Sequence, residues 1–501
     1  VIIALFSIIG NSIKVSSIGS TVVWSDLVNG LFTDVVYNMY ISKYYLQAFL
    51  IVIFLILCVV FLIRSGKFRI RKENRIILGI LACIAFGCAW NSLNNKEVLA
   101  TEENKATFES FKDQLSVQGP GPYILYSKIS TIMNKPLDYN EAEMKRIVKK
   151  YKKLASENTN YQKNGKVIYI LSEAFCDPTK FSGTTWKKDP MPTIRQLQSE
   201  HGGYMLSPVF GAGTANVEYS ALTGFDYSTL NQSLNAYSYL EQAPSRSSSI
   251  VQTGNSQGLE STAIHPYLPS GYGRGKVLPQ MGFKNIYFRD EMNKKFPLDR
   301  LEGYTSDETF LGYVYQSITK NNTDSTLFHT ISMQNHYPYV AQEKGDISAK
   351  DSLLKNESEV SDGHHLAMYA RGVSETDSAI KEFLDKLKKE DDNITVIFYG
   401  DHYPSLNKSL YEDNTPNISD DDFANKHLTT YFVWNNHGNY ATNKKQVISP
   451  SYLSAIGVKS SYKKVPAFYN FLDKMSEEIP AFNVNNNVFL NENVKSTKLS
   501  A

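Results

Sequence analysis

KVIYILSEAF, Lys166 to Phe175, contains a run of five consecutive apolar residues, Val167 to Leu171, that breaks abruptly into Ser172 and Glu173. An uninterrupted apolar run of this length, rich in β-branched and aromatic residues, reads as a strand buried on both faces. It places Glu173 just past the strand's carboxyl end. Val396 to Tyr399, VIFY, repeats the pattern and runs through Gly400 into Asp401 and His402. Further strands are predicted at Asn285 to Phe288, Ser325 to Ser332 and Thr429 to Val433, and helices at Thr193 to Glu200, Leu366 to Leu387 and Val465 to Met475. Alternating elements of this kind predict an α/β domain with a central mixed or parallel sheet flanked by helices, in which ligands gather at the carboxyl ends of strands.

Between these two strands lies FGAGTANVEYSALTGF, Phe210 to Phe225. Gly211 and Gly213 permit positive φ and close approach of a phosphate. Ala215, Val217, Tyr219, Ala221 and Leu222 can form a helix behind Thr214. A hydroxyl at a helix N-terminus faces unpaired amides that favour an anionic substrate, although a threonine there also serves as a simple N-cap. Taken together, Glu173, Thr214, Asp401 and His402 make a hard-to-borderline donor set suited to Mn²⁺, Mg²⁺ or Zn²⁺. A divalent cation would also activate threonine, a poor nucleophile at its free pKa.

A third strand-like run, Phe328 to Met333, ends in QNHYPY and brings His336 to the same rim as a general acid or a ligand of substrate oxygens. IHPYLPSGYGRG contributes His265, Tyr272 and Arg274, where an arginine would grip phosphoryl oxygens through a charge-assisted fork. The glycines and prolines there fit a plain loop equally well.

The remaining organisation follows from hydropathy and charge. Tyr44 to Ile63 carries no charge over a full bilayer's length and is predicted to be a transmembrane helix. Arg64 to Arg75 holds six basic residues against one acidic, which marks a cytoplasmic loop. A second apolar run, Ile76 to Trp90, would return the chain to the outer face. The opening VIIALFSIIG is too short to span a bilayer, so the chain reads as a fragment that lacks earlier membrane helices. The expected plan is a membrane region over 1–93, a helical linker arm over 94–162, an extracytoplasmic catalytic domain over 163–478 and a C-terminal tail over 479–501. Helices are expected in the arm at Ala106 to Leu115 and Asn140 to Ala155. A net charge of +2 with 20% charged residues offers no basic surface for nucleic acid. Cys58, Cys83 and Cys88 lie in the apolar runs, so Cys176 has no disulfide partner in the soluble part.

SEAF, GAGTANVEYSALTG, QNHYPY and YGDHYPS, in that order, resemble the lipoteichoic acid synthase family of phosphoglycerol transferases, within the alkaline phosphatase and sulfatase superfamily. The resemblance covers about Lys166 to Asp473 and agrees with a membrane-anchored layout. It implies a sulfatase-like domain in which Glu173, Thr214, Asp401 and His402 bind one Mn²⁺. Thr214 would carry a covalent glycerophosphate taken from a phosphatidylglycerol-type lipid, and His265, Tyr272, Arg274 and His336 would line the substrate pocket. The acceptor would be a polyglycerolphosphate chain or a cell-envelope glycan, in a Gram-positive-type envelope. Two positions depart from the family's pattern: Tyr272, where tryptophan is frequent in the polymerising members, and Tyr267, where an aspartate is expected. Both bear on the acceptor more than on the chemistry. Rival readings are phosphoethanolamine transfer, phosphodiester hydrolysis and a non-catalytic envelope-binding role. Sulfatases use a modified cysteine or serine in a C/S-x-P-x-R setting, which Thr214-Ala215-Asn216-Val217-Glu218 does not match.

Overall fold

The computed structural model describes residues 139–497, apart from 159–164, 231–234, 243–247, 297–303, 320–324, 340–346, 349, 412–417 and 439–445. These residues fall in the second of two compact units, Ile132–Ala501. The runs Tyr44 to Ile63 and Ile76 to Trp90, and the arm helix at Ala106 to Leu115, lie outside the described residues. Among the described residues no helix is long and apolar enough to cross a membrane.

An eight-stranded sheet forms the centre, in the order β5 (Asn285–Phe288), β4 (Glu260–His265), β6 (Ser325–Ile331), β2 (Lys166–Ser172), β7 (Ile394–Gly400), β8 (Leu428–Asn435), β3 (Gly202–Leu206) and β9 (Val447–Ile448). β8 runs antiparallel to both its neighbours, β7 and β3, while the other pairings are parallel. The sheet is therefore mixed, as expected, and all five predicted strands are present. β3, β4 and β9 are additions. In β3 the leading Gly202 has no room for a side chain, because a Cβ there would lie 2.0 Å from the Tyr431 carbonyl oxygen.

Side-chain alternation along β2 divides the interior into two layers. Val167, Tyr169 and Leu171 join one cluster, and Ile168 and Ile170 the other. Among the described residues the helices of eight residues or more are α1 (Glu141–Lys152), α2 (Pro192–His201), α3 (Thr214–Thr223), α4 (Arg274–Met281), α5 (Asp307–Thr319), α6 (Gly363–Leu387), α7 (Leu453–Ser461) and α8 (Ala467–Glu478). Helices α3, α4, α7 and α8 cover the first face, and α2, α5 and α6 the second. Pro192 opens α2 at a position where its missing N–H costs nothing. The helix expected from Val465 instead begins at Ala467, because Lys464–Val465 pairs as a strand and Pro466 takes the N-cap position.

The chain on either side of the sheet is tied to it. α1 begins where Asn140 accepts a hydrogen bond from the Glu143 N–H at 2.8 Å, and its Tyr151 ring meets Phe471 edge-on at 4.7 Å. β1 (Ser156–Glu157) then pairs with β10 (Lys464–Val465). Past residue 479, where the sequence suggests a tail, β11 (Ala481–Asn483) and β12 (Val488–Leu490) form a hairpin. Its Ala481, Val488 and Leu490 are buried together with Leu206, Leu428 and Val447 of the sheet.

One buried histidine gives the fold a pH dependence. The ring of His427 stacks on Phe423 at 3.8 Å and donates from Nδ1 to the Phe423 carbonyl. Burial lowers its pKa from the ordinary 6.5 to about 4. The unfolded chain takes up a proton near 6.5 while the folded chain stays neutral until about 4, so stability should fall as pH drops through that window. The loss expected from this group is about 3 kcal/mol. His427→Gln, which keeps an N–H donor but does not titrate, should flatten melting temperature against pH between 6.5 and 4. An unchanged slope would assign the dependence to other groups.

Candidate metal and nucleophile site

Glu173, Asp401 and His402 converge at the carboxyl ends of β2 and β7 as the sequence predicts. One donor atom from each lies within 4.8 Å of the others, and all three residues are buried. The approach of these strand ends depends on Gly400, since a Cβ there would lie 1.9 Å from the Phe175 carbonyl oxygen. That clash is with backbone, which has little freedom to yield. Gly400→Ala is therefore expected to cost about 3 kcal/mol and to weaken divalent-metal binding, measured by thermal melts and calorimetric titration with Mn²⁺. Unchanged melting and affinity would show that the two loops do not need this close contact.

Local hydrogen bonds aim each donor. Ala174 is held at φ 47°, in the left-handed region, and its N–H donates to Asp401 Oδ1 at 2.7 Å. The His402 N–H donates to the same oxygen at 2.9 Å. Asp401 Oδ2 is left buried without a hydrogen-bond donor. His402 faces the Tyr403 carbonyl through Nδ1 at 2.9 Å, which fixes the proton there and puts the lone pair on Nε2. That Nε2 is also buried without a hydrogen-bond partner, 3.3 Å from Asp401 Oδ2 and 3.6 Å from Glu173 Oε1. Burial, together with the neighbouring Asp401 charge, pushes the Glu173 carboxyl well above the usual range, and burial raises Asp401 as well. Two crowded carboxylates beside an imidazole lone pair, with orphaned donor atoms aimed at one point, fit a divalent cation.

Thr214 is the first residue of α3, and Gly213, at φ 102°, occupies the N-cap position. The threonine hydroxyl therefore does not cap the helix. It donates to Glu173 Oε2 at 3.1 Å. Every residue of α3 is buried, so the helix is fixed on all sides and its amino end is presented to the cluster.

The pocket residues of the GYGR stretch behave differently from a simple phosphate fork. The Gly213 N–H donates to the Tyr272 hydroxyl at 3.2 Å, and Arg274 Cζ lies 5.1 Å from the Tyr272 ring centre. Arg274 directs Nε and Nη2 at Glu218, within a buried ion pair. Its Nη1 meets His265 Nε2 at 3.3 Å, while His265 Nδ1 faces the Ile331 carbonyl at 3.2 Å. Both ring nitrogens of His265 are thus engaged by the protein. Burial and the Arg274 charge lower its pKa to about 3, so it stays neutral and supports the arginine. Burial favours protonation of Glu218, but Arg274 and His329 more than offset this and hold its carboxyl well below the usual range. His329 Nε2 at 3.2 Å and the Tyr237 hydroxyl at 2.9 Å complete its partners. Sequence reasoning missed Glu218, although it stands one helical turn after Thr214.

His336 follows β6 and is half-buried. Its Nδ1 lies 2.6 Å from the Tyr337 carbonyl and 2.9 Å from the Tyr304 hydroxyl. It connects to His265 through a series of rings: Tyr304 is 6.1 Å from Tyr267, which is 6.2 Å from His265.

The buried metal-type cluster thus lies at the ends of β2 and β7, with the Thr214 hydroxyl at the start of α3 beside it. The chain matches the family described as Sulfatase over residues 166–455 and belongs to it. It is 32% identical over 333 residues to a putative cyclic beta-1,2-glucan modification protein of Rhizobium meliloti (strain 1021), covering 63% of this chain and 49% of that protein. It is 29% identical over 245 residues to the capsular polysaccharide biosynthesis protein RkpI of the same organism, covering 48% of this chain and 41% of that protein. The chain thus spans less than half the length of these relatives. Among solved structures it is similar to Streptococcus pyogenes phosphoglycerol transferase GacH in complex with sn-glycerol-1-phosphate. That match has a TM-score of 0.58 and 27% identity, over 74% of this chain and 91% of that one. The lipoteichoic acid synthase LtaP from Listeria monocytogenes shares the fold, with a TM-score of 0.50 and 19% identity over 71% of this chain and 93% of that one.

Proposed function

We infer that this chain is a membrane-anchored phosphotransferase that moves glycerophosphate from a phosphatidylglycerol-type lipid, through a covalent threonine intermediate, to a cell-envelope acceptor outside the membrane. The observation that carries this reading is the Thr214 hydroxyl, bonded to Glu173 at the edge of a buried, cation-demanding cluster. Similarity to a structure holding sn-glycerol-1-phosphate supports the choice of group, and relatives named for glucan modification and capsular polysaccharide biosynthesis support an envelope saccharide as acceptor.

Glu173, Asp401, His402 and Thr214 would hold one divalent ion, with Mn²⁺ as the proposed occupant. When bound, it supplies a lowered hydroxyl pKa and polarisation of the phosphoryl group. Thr214 Oγ attacks phosphorus and passes its proton to Glu173 Oε2, to which it already donates a hydrogen bond. A P–Oγ bond forms while the bond to diacylglycerol breaks, and the leaving oxygen takes a proton from His336. The acceptor hydroxyl then attacks the same phosphorus and returns a proton to His336. The P–Oγ bond breaks, and Oγ takes its proton back from Glu173 Oε2. The first amides of α3 and the nearby charge of Arg274 favour the phosphoryl oxygens. A tether suits a donor that stays in the bilayer.

Intact mass of the full chain in phosphatidylglycerol nanodiscs should show a Mn²⁺-dependent glycerophosphate adduct that maps to Thr214 and disappears on chelation. An adduct on another residue, or none with metal demonstrably bound, would overturn the reading.

A further inference from the structure

The phosphoglycerol-transfer reading leaves the acceptor as either a polyglycerolphosphate chain or a glycan, and a group of aromatic side chains beside Arg274 distinguishes the two. We propose that Tyr267, Tyr304, His336 and Tyr337 form the acceptor subsite, and that it seats a neutral pyranose ring; this rests on the transfer reading above.

The series begins at the phosphoryl end of the site. The Tyr267 ring lies 6.2 Å from the His265 ring, whose Nε2 meets Arg274 Nη1 at 3.3 Å, so one side chain joins the first ring to the guanidinium. From there the rings step outward. Tyr267 to Tyr304 is 6.1 Å, and Tyr304 to His336 is 5.0 Å. Tyr337 comes next in the chain, 50% exposed and held from behind by an edge contact of 5.9 Å with the buried Tyr339. Tyr267, Tyr304 and His336 are half-buried, so the series leads from the buried Arg274 to open solvent.

The chemistry of this surface is selective. A pyranose presents an apolar C–H face bordered by hydroxyls, which matches aromatic faces bordered by phenol and imidazole polar atoms. None of the four side chains is aliphatic, which disfavours an acyl chain. None carries a permanent positive charge, whereas each unit of a polyglycerolphosphate would bring a negative charge and call for lysine or arginine. Arg274 at the inner end is already paired with Glu218.

The subsite contains the base that the second step needs. His336 Nδ1 faces the Tyr337 carbonyl at 2.6 Å, and the Tyr304 hydroxyl donates to that same carbonyl at 3.2 Å. A proton fixed on Nδ1 puts the lone pair on Nε2, where it can take the proton of a sugar hydroxyl stacked alongside.

The test uses the full chain in phosphatidylglycerol nanodiscs with Mn²⁺, and compares methyl β-D-glucopyranoside, glycerol and sn-glycerol-1-phosphate as agents that discharge the adduct. The glucoside should discharge it about tenfold faster than either open-chain alcohol at equal concentration. Tyr337→Ala, a change at a half-exposed ring, should lose that preference, and Tyr337→Trp should keep it. Equal rates in the wild type, faster discharge by glycerophosphate, or a preference that survives in Tyr337→Ala overturns the proposal. If no adduct forms at all, the transfer reading fails, and saturation-transfer NMR with a β-linked glucose tetrasaccharide decides the subsite separately. Saturation of sugar C–H protons in the wild type that is lost in Tyr337→Ala supports it; no saturation, or saturation unaffected by the substitution, overturns it.

Discussion

Thr214→Ala should abolish transfer, lowering turnover by about 10⁴-fold or more, while the protein remains folded and still binds Mn²⁺. In the proposed mechanism this hydroxyl, on the amino end of α3, is the nucleophile, and its loss removes the P–Oγ bond on which both proposed steps depend. If the hydroxyl is also a donor to the cation, as proposed, Mn²⁺ affinity should fall modestly, with Glu173, Asp401 and His402 still in place. Thr214→Ser retains a hydroxyl on the same backbone and should retain measurable transfer, since serine lacks only the methyl group. Calorimetry with Mn²⁺, alongside phosphatidylglycerol turnover, separates these terms. Turnover surviving in Thr214→Ala would rule out the covalent route and favour direct attack by the acceptor.

The second large effect falls on folding. Glu218→Ala should destabilise the domain by about 3–5 kcal/mol, because Arg274 would remain buried without its counter-charge. Tyr237 and His329 would lose their acceptor in the same step. Replacing both members of the pair, Glu218→Met with Arg274→Met, removes the uncompensated charge and should recover much of that stability. It should not recover transfer, because the positive charge near the proposed phosphoryl site is gone. Denaturant titration of the single and double variants tests the first statement, and lipid turnover the second. A double variant no more stable than Glu218→Ala would mean that packing, and not charge, dominates this part of the core.

Different physical signals explain which elements were legible. β2 and β7 are buried on both faces, so each is an uninterrupted apolar run, and the acid that follows marks the strand end directly. β3 and β4 carry no such signature. GGYML depends on Gly202 fitting against Tyr431, and ESTAIH mixes polar and apolar residues with neither an unbroken apolar run nor a strict alternation. The hairpin after residue 479 was similarly hidden, because its apolar residues are few and gain their burial from Leu206, Leu428 and Val447. Within the site, residue type and position were enough to single out Glu173, Thr214, Asp401 and His402. The roles of Arg274 and His265 were not legible, since a fork for phosphate and a buried partner of Glu218 use the same side chain.

By itself, the sequence determined the α/β class, the strand ends that bear acids and the hydroxyl set at a glycine-led helix start. These depend on local periodicity, chain reversal and residue chemistry, which act over a few neighbouring residues. Only the tertiary structure decided which oxygen of Asp401 is spent on backbone amides and which is aimed into the cluster. It alone decided that Glu218 claims Arg274, and that the rings of Tyr267, Tyr304 and His336, from three separated segments, stand in series outward from His265. Those outcomes depend on contacts between residues tens to hundreds of positions apart, where burial makes each unpaired charge or lone pair costly and so selects one arrangement.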